Sequence, residues 1–178
     1  MIYRSDEAEK KAALHTAELM AAAARTAPKG CGVDEIETLI LDGAEKDALA
    51  DEMRKIAGEN GTPFFERDAG NIDSCHYVVL IGVRNLPRGL KDCGLCGLGD
   101  CGSAAKAGAR CAFGITDLGI AVGSAASVTM DHRVDNRILF TAGKGAARLG
   151  LFSEKVKISY GIGLSISGKN VFFDRALP

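Results

Sequence analysis

The run Tyr77-Val-Val-Leu-Ile-Gly-Val83 constrains the fold more than any other stretch, because seven residues pass without a charge and without polar–apolar alternation. A strand with one wet face alternates with a period of two, so an unbroken run rich in β-branched residues reads as a central strand covered on both faces. That demands a layered α and β protein. A chain of 178 residues with 47% apolar content is large enough to close such layers around a core, and no repeat or linker divides it, so a single domain over 1–178 is expected.

The remaining periodicity fills in the layers. Residues 6–24 read as an amphipathic helix with Leu14, Ala17, Ala21 and Ala24 on its buried stripe, and Ile36 to Leu41 read as a short strand. A helix over 46–57 buries Leu49, Met53 and Ile56 and stops at Gly58 with Asn60-Gly61. Thr62-Pro63 is expected to open an extended stretch through Phe64-Phe65. Later come a small-residue helix over 113–130, a second over 135–149, and a strand in which Val156, Ile158, Tyr160 and Ile162 alternate with polar or small residues. Phe172 and Phe173 near the end should pack on the body or on a partner subunit.

The chemistry lies in the loop after the central strand. Cys93-Gly-Leu-Cys96-Gly-Leu-Gly-Asp-Cys101-Gly, with Cys111 beyond, puts four of six cysteines into a Cys-x2-Cys-x4-Cys-x9-Cys pattern. Thiolates are the ligands of iron–sulfur clusters and structural zinc, and Cys-x2-Cys lets two sulfurs from one piece of chain converge. Glycine follows each of the first three cysteines, and glycine accepts the positive φ that curls a loop around a cluster. An iron–sulfur cluster, a zinc site and plain reduced thiols all remain open on spacing alone. Cys111 depends on the backbone between. An unbroken helix from Cys101 would carry it about 15 Å away, so it joins the site only through a fold-back at Gly102 or Gly108.

A formal net charge of −1 gives no electrostatic reason to expect nucleic acid or an anionic membrane as a partner. The stretch from Cys111 to Met130 carries one charge, Asp117. Its glycines, alanines, serines and threonines outnumber its strong hydrophobes, so an interior or dimer-interface helix is expected rather than a membrane span. The polar start, Met1 to Glu7, is unlike a signal peptide, which points to the cytoplasm and to reduced or metal-bound cysteines.

Other motifs carry less. Gly163-Leu-Ser-Ile-Ser-Gly-Lys-Asn170 departs from a phosphate loop at Asn170 and leaves only eight residues for the required helix. His15 reads as a surface or packing residue, and His76 beside Cys75 would point to the opposite face of a strand. His132, among Asp131, Arg133, Asp135 and Arg137, reads as part of a charged turn with an aspartate capping a helix.

Ala23-Ala-Arg-Thr-Ala-Pro28, Asp117-Leu-Gly-Ile-Ala-Val-Gly and Ile158-Ser-Tyr-Gly-Ile-Gly resemble nitroreductase-like flavoproteins. From end to end the chain is similar to the uncharacterised ferredoxin domain-containing family. That likeness runs through Arg25-Thr-Ala-Pro-Lys, Cys93-Gly-Leu-Cys-Gly, Asp131-His-Arg-Val-Asp-Asn-Arg and Gly168-Lys-Asn-Val-Phe-Phe-Asp. The resemblances imply a layered α+β nitroreductase-like fold, a mixed central sheet flanked by helices, and a homodimer. They also imply two cofactors: a 4Fe-4S cluster on the cysteine loop, whose first three cysteines are spaced as in four-iron electron-transfer modules, and FMN at a subunit interface. Arg4 and Ser5 are what remains here of the flavin-phosphate sequence, with Glu7 opposing them and no amide in Lys29-Gly-Cys-Gly32. The expected function is electron transfer to a redox protein or a small-molecule acceptor; an FMN-dependent oxidoreductase and a structural zinc or interaction protein are the alternatives.

Overall fold

The computed structural model describes residues 1–173; Asp174 of the 168–174 motif and the end of the tail lie outside the described residues. The apolar run forms a strand, Tyr77–Val83, buried at every position. It sits inside a four-stranded sheet with Ile36–Leu41, Ile158–Ser165 and Asp135–Leu139. Numbered along the chain, these are β1 (Ile36–Leu41), β2 (Tyr77–Val83), β3 (Asp135–Leu139) and β4 (Ile158–Ser165), in the order β1-β2-β4-β3. All three pairings are antiparallel, with Leu80 opposite Leu39 on one side and Gly161 on the other. The expected mixed sheet is thus antiparallel among the described residues.

Among the described residues there are six α-helices, α1 (Ser5–Thr26), α2 (Gly43–Asn60), α3 (Pro63–Ser74), α4 (Cys101–Lys106), α5 (Ala112–Asp131) and α6 (Phe140–Arg148), and a short 3-10 turn at Gly30–Gly32. Tyr77, Val79, Ile81 and Val83 pack with Ala17, Met20, Leu118 and Ala125 of α1 and α5. Val78 and Leu80 pack on the other face with Leu49, Met53, Ile72 and Ala142 of α2, α3 and α6. Both faces of β2 are therefore covered, as its lack of alternation requires. By length and composition α5 could cross a membrane, yet Leu118, Ala121 and Ala125 are fully buried within the α1–α5 layer.

Four local expectations are corrected. Pro63 opens α3 at its first turn, where a fixed φ and a missing N–H suit the helix; the extended stretch through Phe65 does not occur. The helix expected over 135–149 begins only at Phe140, because Asp135–Leu139 pairs with β4 from Ser165 to Gly161 and edge pairing overrides local propensity. The buried stripe of α1 is Ala13, Ala17, Met20 and Ala24, whereas Leu14 faces outward. In the 131–137 turn Asp131 ends α5 rather than capping a new helix.

Helix α6 lies unusually close to β4. A Cβ at Gly143 would stand 1.9 Å from the Ser159 carbonyl oxygen, and one at Gly161 would meet Ala142 Cβ at 2.6 Å. Gly143→Ala is therefore expected to lower stability by about 3 kcal/mol, read from urea unfolding, since backbone rather than a flexible side chain must yield. A loss under about 0.5 kcal/mol, the usual range for surface changes, would contradict that contact. The tail packs on the body through Phe172, which is buried, while Arg137 Nη1 donates to its carbonyl at 2.9 Å. Phe173 is exposed, with the Arg137 guanidinium over its ring.

Candidate metal centre

The cysteine loop leaves the end of β2 and is curled by residues of positive φ: Asp92, Gly94, Gly97 and Gly99. The Gly97 N–H donates to the Gly94 carbonyl at 2.8 Å, closing a tight turn between Cys93 and Cys96. Asp100 then caps α4, its Oδ1 accepting from the Ser103 N–H at 2.7 Å. That backbone hydrogen bond, helped by the Ser103 side chain, holds the Asp100 carboxyl below its usual range. Helix α4 stops at Lys106, and Gly108 at φ 65° turns the chain back. Cys111 arrives as the residue before α5. The turn is at Gly108; Gly102 stays helical.

Cys93, Cys96, Cys101 and Cys111 line a single pocket together with Pro87 and Phe113, and Ala104, Ala109 and Ala112 complete an apolar wall. All four cysteines are half-buried and unbridged. Among the described residues no group of three or more His, Cys, Asp or Glu side chains stands where it could hold one metal ion. The thiols share a pocket without meeting at a point.

Under the pocket lies a polar network that spacing did not reveal. Asn85 grips Cys111 twice: its Oδ1 accepts from the Cys111 N–H at 2.8 Å, and its Nδ2 donates to the Cys111 carbonyl at 2.9 Å. Three residues on, the Arg88 side chain is 3% exposed and pairs with Glu35 at 3.2 Å and Asp117 at 2.7 Å. Burial alone would lower the Arg88 pKa, but the Asp117 hydrogen bond and the two carboxylate charges outweigh it and raise the value, with a further contribution from Cys111. Glu35 also accepts from the Leu86 N–H, and Asp117 from the Gly30 N–H. One signal for this network was legible. A lone aspartate in a long apolar helix requires a buried partner.

The other cysteines lie elsewhere. Cys75 is buried among core side chains and donates to the Ile72 and Tyr77 carbonyls; burial, against the opposing charge of Lys46, pushes its thiol up to about 11. Cys31 is exposed at φ 60°. His76 begins beside β2 at the end away from the loop, with its Nδ1 accepting from the Ile166 N–H. His132 closes α5, about 30 Å along that helix from Cys111, edge-on to His15 at 6.1 Å between ring centroids.

Arg4 and Ser5 are exposed at the start of α1. Nearby Glu7, Lys10 and Lys11 share a surface hollow with Tyr77, at the end of β2 opposite the cysteine loop. Lys29, in the loop that follows α1, spends its ammonium on the carbonyls of Ala24, Arg25 and Ala27. Arg4 and Ser5 thus stand toward the start of β2 and the cysteine loop leaves its other end, whereas Gly30, in the loop after α1, lies against Phe113 of the cysteine pocket.

This architecture is the nitroreductase-like fold. Superposition on a nitroreductase with bound FMN from Desulfitobacterium hafniense gives a TM-score of 0.60 at 13% identity, covering 87% of this chain and 78% of that one. A putative nitroreductase in complex with FMN from Desulfovibrio desulfuricans gives 0.58 at 14% identity, over 92% and 86%. At sequence level, an uncharacterised protein of Archaeoglobus fulgidus is 38% identical over 166 residues, 89% of each chain. Residues 107–175 match the family described as uncharacterised proteins containing a ferredoxin domain, a segment that includes Cys111 and α5. The chain belongs to that family.

Proposed function

We propose that the protein is a redox protein that transfers electrons through an iron–sulfur cluster, 4Fe-4S in type, held by Cys93, Cys96, Cys101 and Cys111. The observation that carries this reading is that four cysteines, from the Gly94–Gly97 turn, the residue before it and two helix starts, line one pocket. In a cluster each thiolate binds a different iron, so the sulfurs need a common cavity; tetrahedral zinc needs all four about 2.3 Å from one centre. The family's ferredoxin domain supports the same chemistry.

A bound cluster would supply a one-electron store at this position. The chain's own part is to ligate through the four thiolates and to keep water away with Pro87, Phe113 and the alanine wall. Low polarity around a cluster is one of the levers that set its potential. Exposed Leu90 and Leu95 border the loop and give a redox protein or small acceptor its approach. In this reading the protein works in the reducing cytoplasm as a homodimer, with a second copy covering the uncharged outer face of α5 at Ile115, Gly119, Ile120 and Gly123. Solution scattering at micromolar concentration is expected to return the mass of two chains; a compact monomer would contradict the dimer.

An FMN-dependent oxidoreductase is the second reading, favoured by the FMN-bound structural relatives. Its residues fit less well, since Glu7 sets a carboxylate beside Arg4 and Ser5 and Lys29 is occupied. Analysis of protein purified without oxygen separates the readings. Iron with equimolar sulfide supports the first, stoichiometric FMN alone the second, and zinc alone overturns both.

A further inference from the structure

We infer that Asn85 is the positioning residue that fixes Cys111 as the fourth ligand of the cysteine pocket, so that this one amide decides whether the site holds four irons or three. The inference rests on the cluster reading above. It starts from the distance problem posed by Cys111, which reaches the pocket only because the chain turns at Gly108. A turn alone brings it back without fixing it.

Three independent features make Asn85 a built clamp. It lies two residues beyond β2, so the best-buried strand of the fold anchors its backbone. Its φ is 55°, a conformation that asparagine accepts more readily than most residues. Its side chain uses both ends of the amide on the backbone of one residue, at 2.8 and 2.9 Å. The Cys111 N–H precedes α5 and has no intrahelical acceptor of its own, so the amide supplies what the helix cannot.

The opposing surface is shaped to admit this amide. A Cβ at Gly114 would stand 2.4 Å from Asn85 Nδ2 and 3.2 Å from its Cα, so Gly114 leaves the space the clamp occupies. One turn further along α5, Arg88 of the same segment holds Asp117. Residues 85–88 thus grip α5 at two points, and the first grip is on the ligand itself. Cys93, Cys96 and Cys101 sit on the self-closed turns and the Asp100 cap and do not depend on Asn85.

The test compares wild type, Asn85→Ala, Asn85→Asp and Cys111→Ser after anaerobic reconstitution with iron and sulfide. Irons per chain are counted by native mass spectrometry before and after an EDTA challenge. Asn85→Asp keeps the tolerance of positive φ and sets a carboxylate oxygen against the Cys111 carbonyl. Wild type is expected to keep four irons, and all three variants to fall to three. Gly143→Ala, destabilised far from the loop, should keep four. In metal-free protein the Cys111 amide of Asn85→Ala should exchange with deuterium about tenfold faster, the loss of one hydrogen bond.

Four irons retained by both Asn85 variants, with unchanged Cys111 exchange, would overturn the inference. Iron loss in Gly143→Ala equal to that in Asn85→Ala would also overturn it, by tracing the effect to stability. A wild-type protein that takes up no iron defeats the cluster reading instead, and the exchange measurement still judges the clamp.

Discussion

Cys96→Ser, expressed and purified without oxygen, is expected to lose most of its bound iron and sulfide, while Cys75→Ser retains the wild-type content. Cys96 lies within the Gly94–Gly97 turn at the pocket. Replacing its thiolate removes one of four sulfur ligands; no histidine lines the pocket, and the Asp100 carboxylate there is committed to capping α4. Cys75 sits in the core between α3 and β2 with its thiol pushed up to about 11, so it is a protonated packing group at neutral pH and a poor ligand. Colorimetric iron and sulfide assays read both variants. Equal loss in the two would remove the loop from its central place.

Arg88→Met is expected to destabilise the fold by about 3–5 kcal/mol, because it leaves Glu35 and Asp117 as buried carboxylates without a counter-charge. Both are almost fully covered, at 7% and 4% exposed, so water cannot take over the lost role. The damage should be undone by removing the charges it exposes. Arg88→Met combined with Glu35→Gln and Asp117→Asn should regain most of the stability, since replacing a whole buried ion network by neutral groups is often close to neutral. Denaturant unfolding of the single and triple variants measures this. If the triple variant is as weak as the single one, the three residues do not act as a unit.

The parts legible in the sequence are those set by local pattern. The apolar run announced β2 and its cover on both faces, and the stripe Leu49, Met53 and Ile56 announced α2. Spacing also brought the cysteines into view, and with them the requirement that the chain turn before Cys111. What escaped was set by contacts between distant residues. Asp135–Leu139 has the polarity of a helix surface and became a strand because β4 offered a free edge. Leu14 has the hydrophobicity of a core residue, but the close approach of α1 to α5 is made by alanines beside it. Asn85, Glu35 and Arg88 carry no spacing signature, because the pairs Asn85–Cys111, Arg88–Asp117 and Arg88–Glu35 join residues 26 to 53 positions apart.

X-ray absorption at the iron edge of anaerobically purified protein separates a cluster from a lone ion. Iron in an all-sulfur shell with a second shell of iron neighbours is expected in wild type and not in Cys96→Ser. Iron or zinc bound without any metal–metal shell, or protein free of metal after strictly anaerobic handling, would contradict the cluster reading.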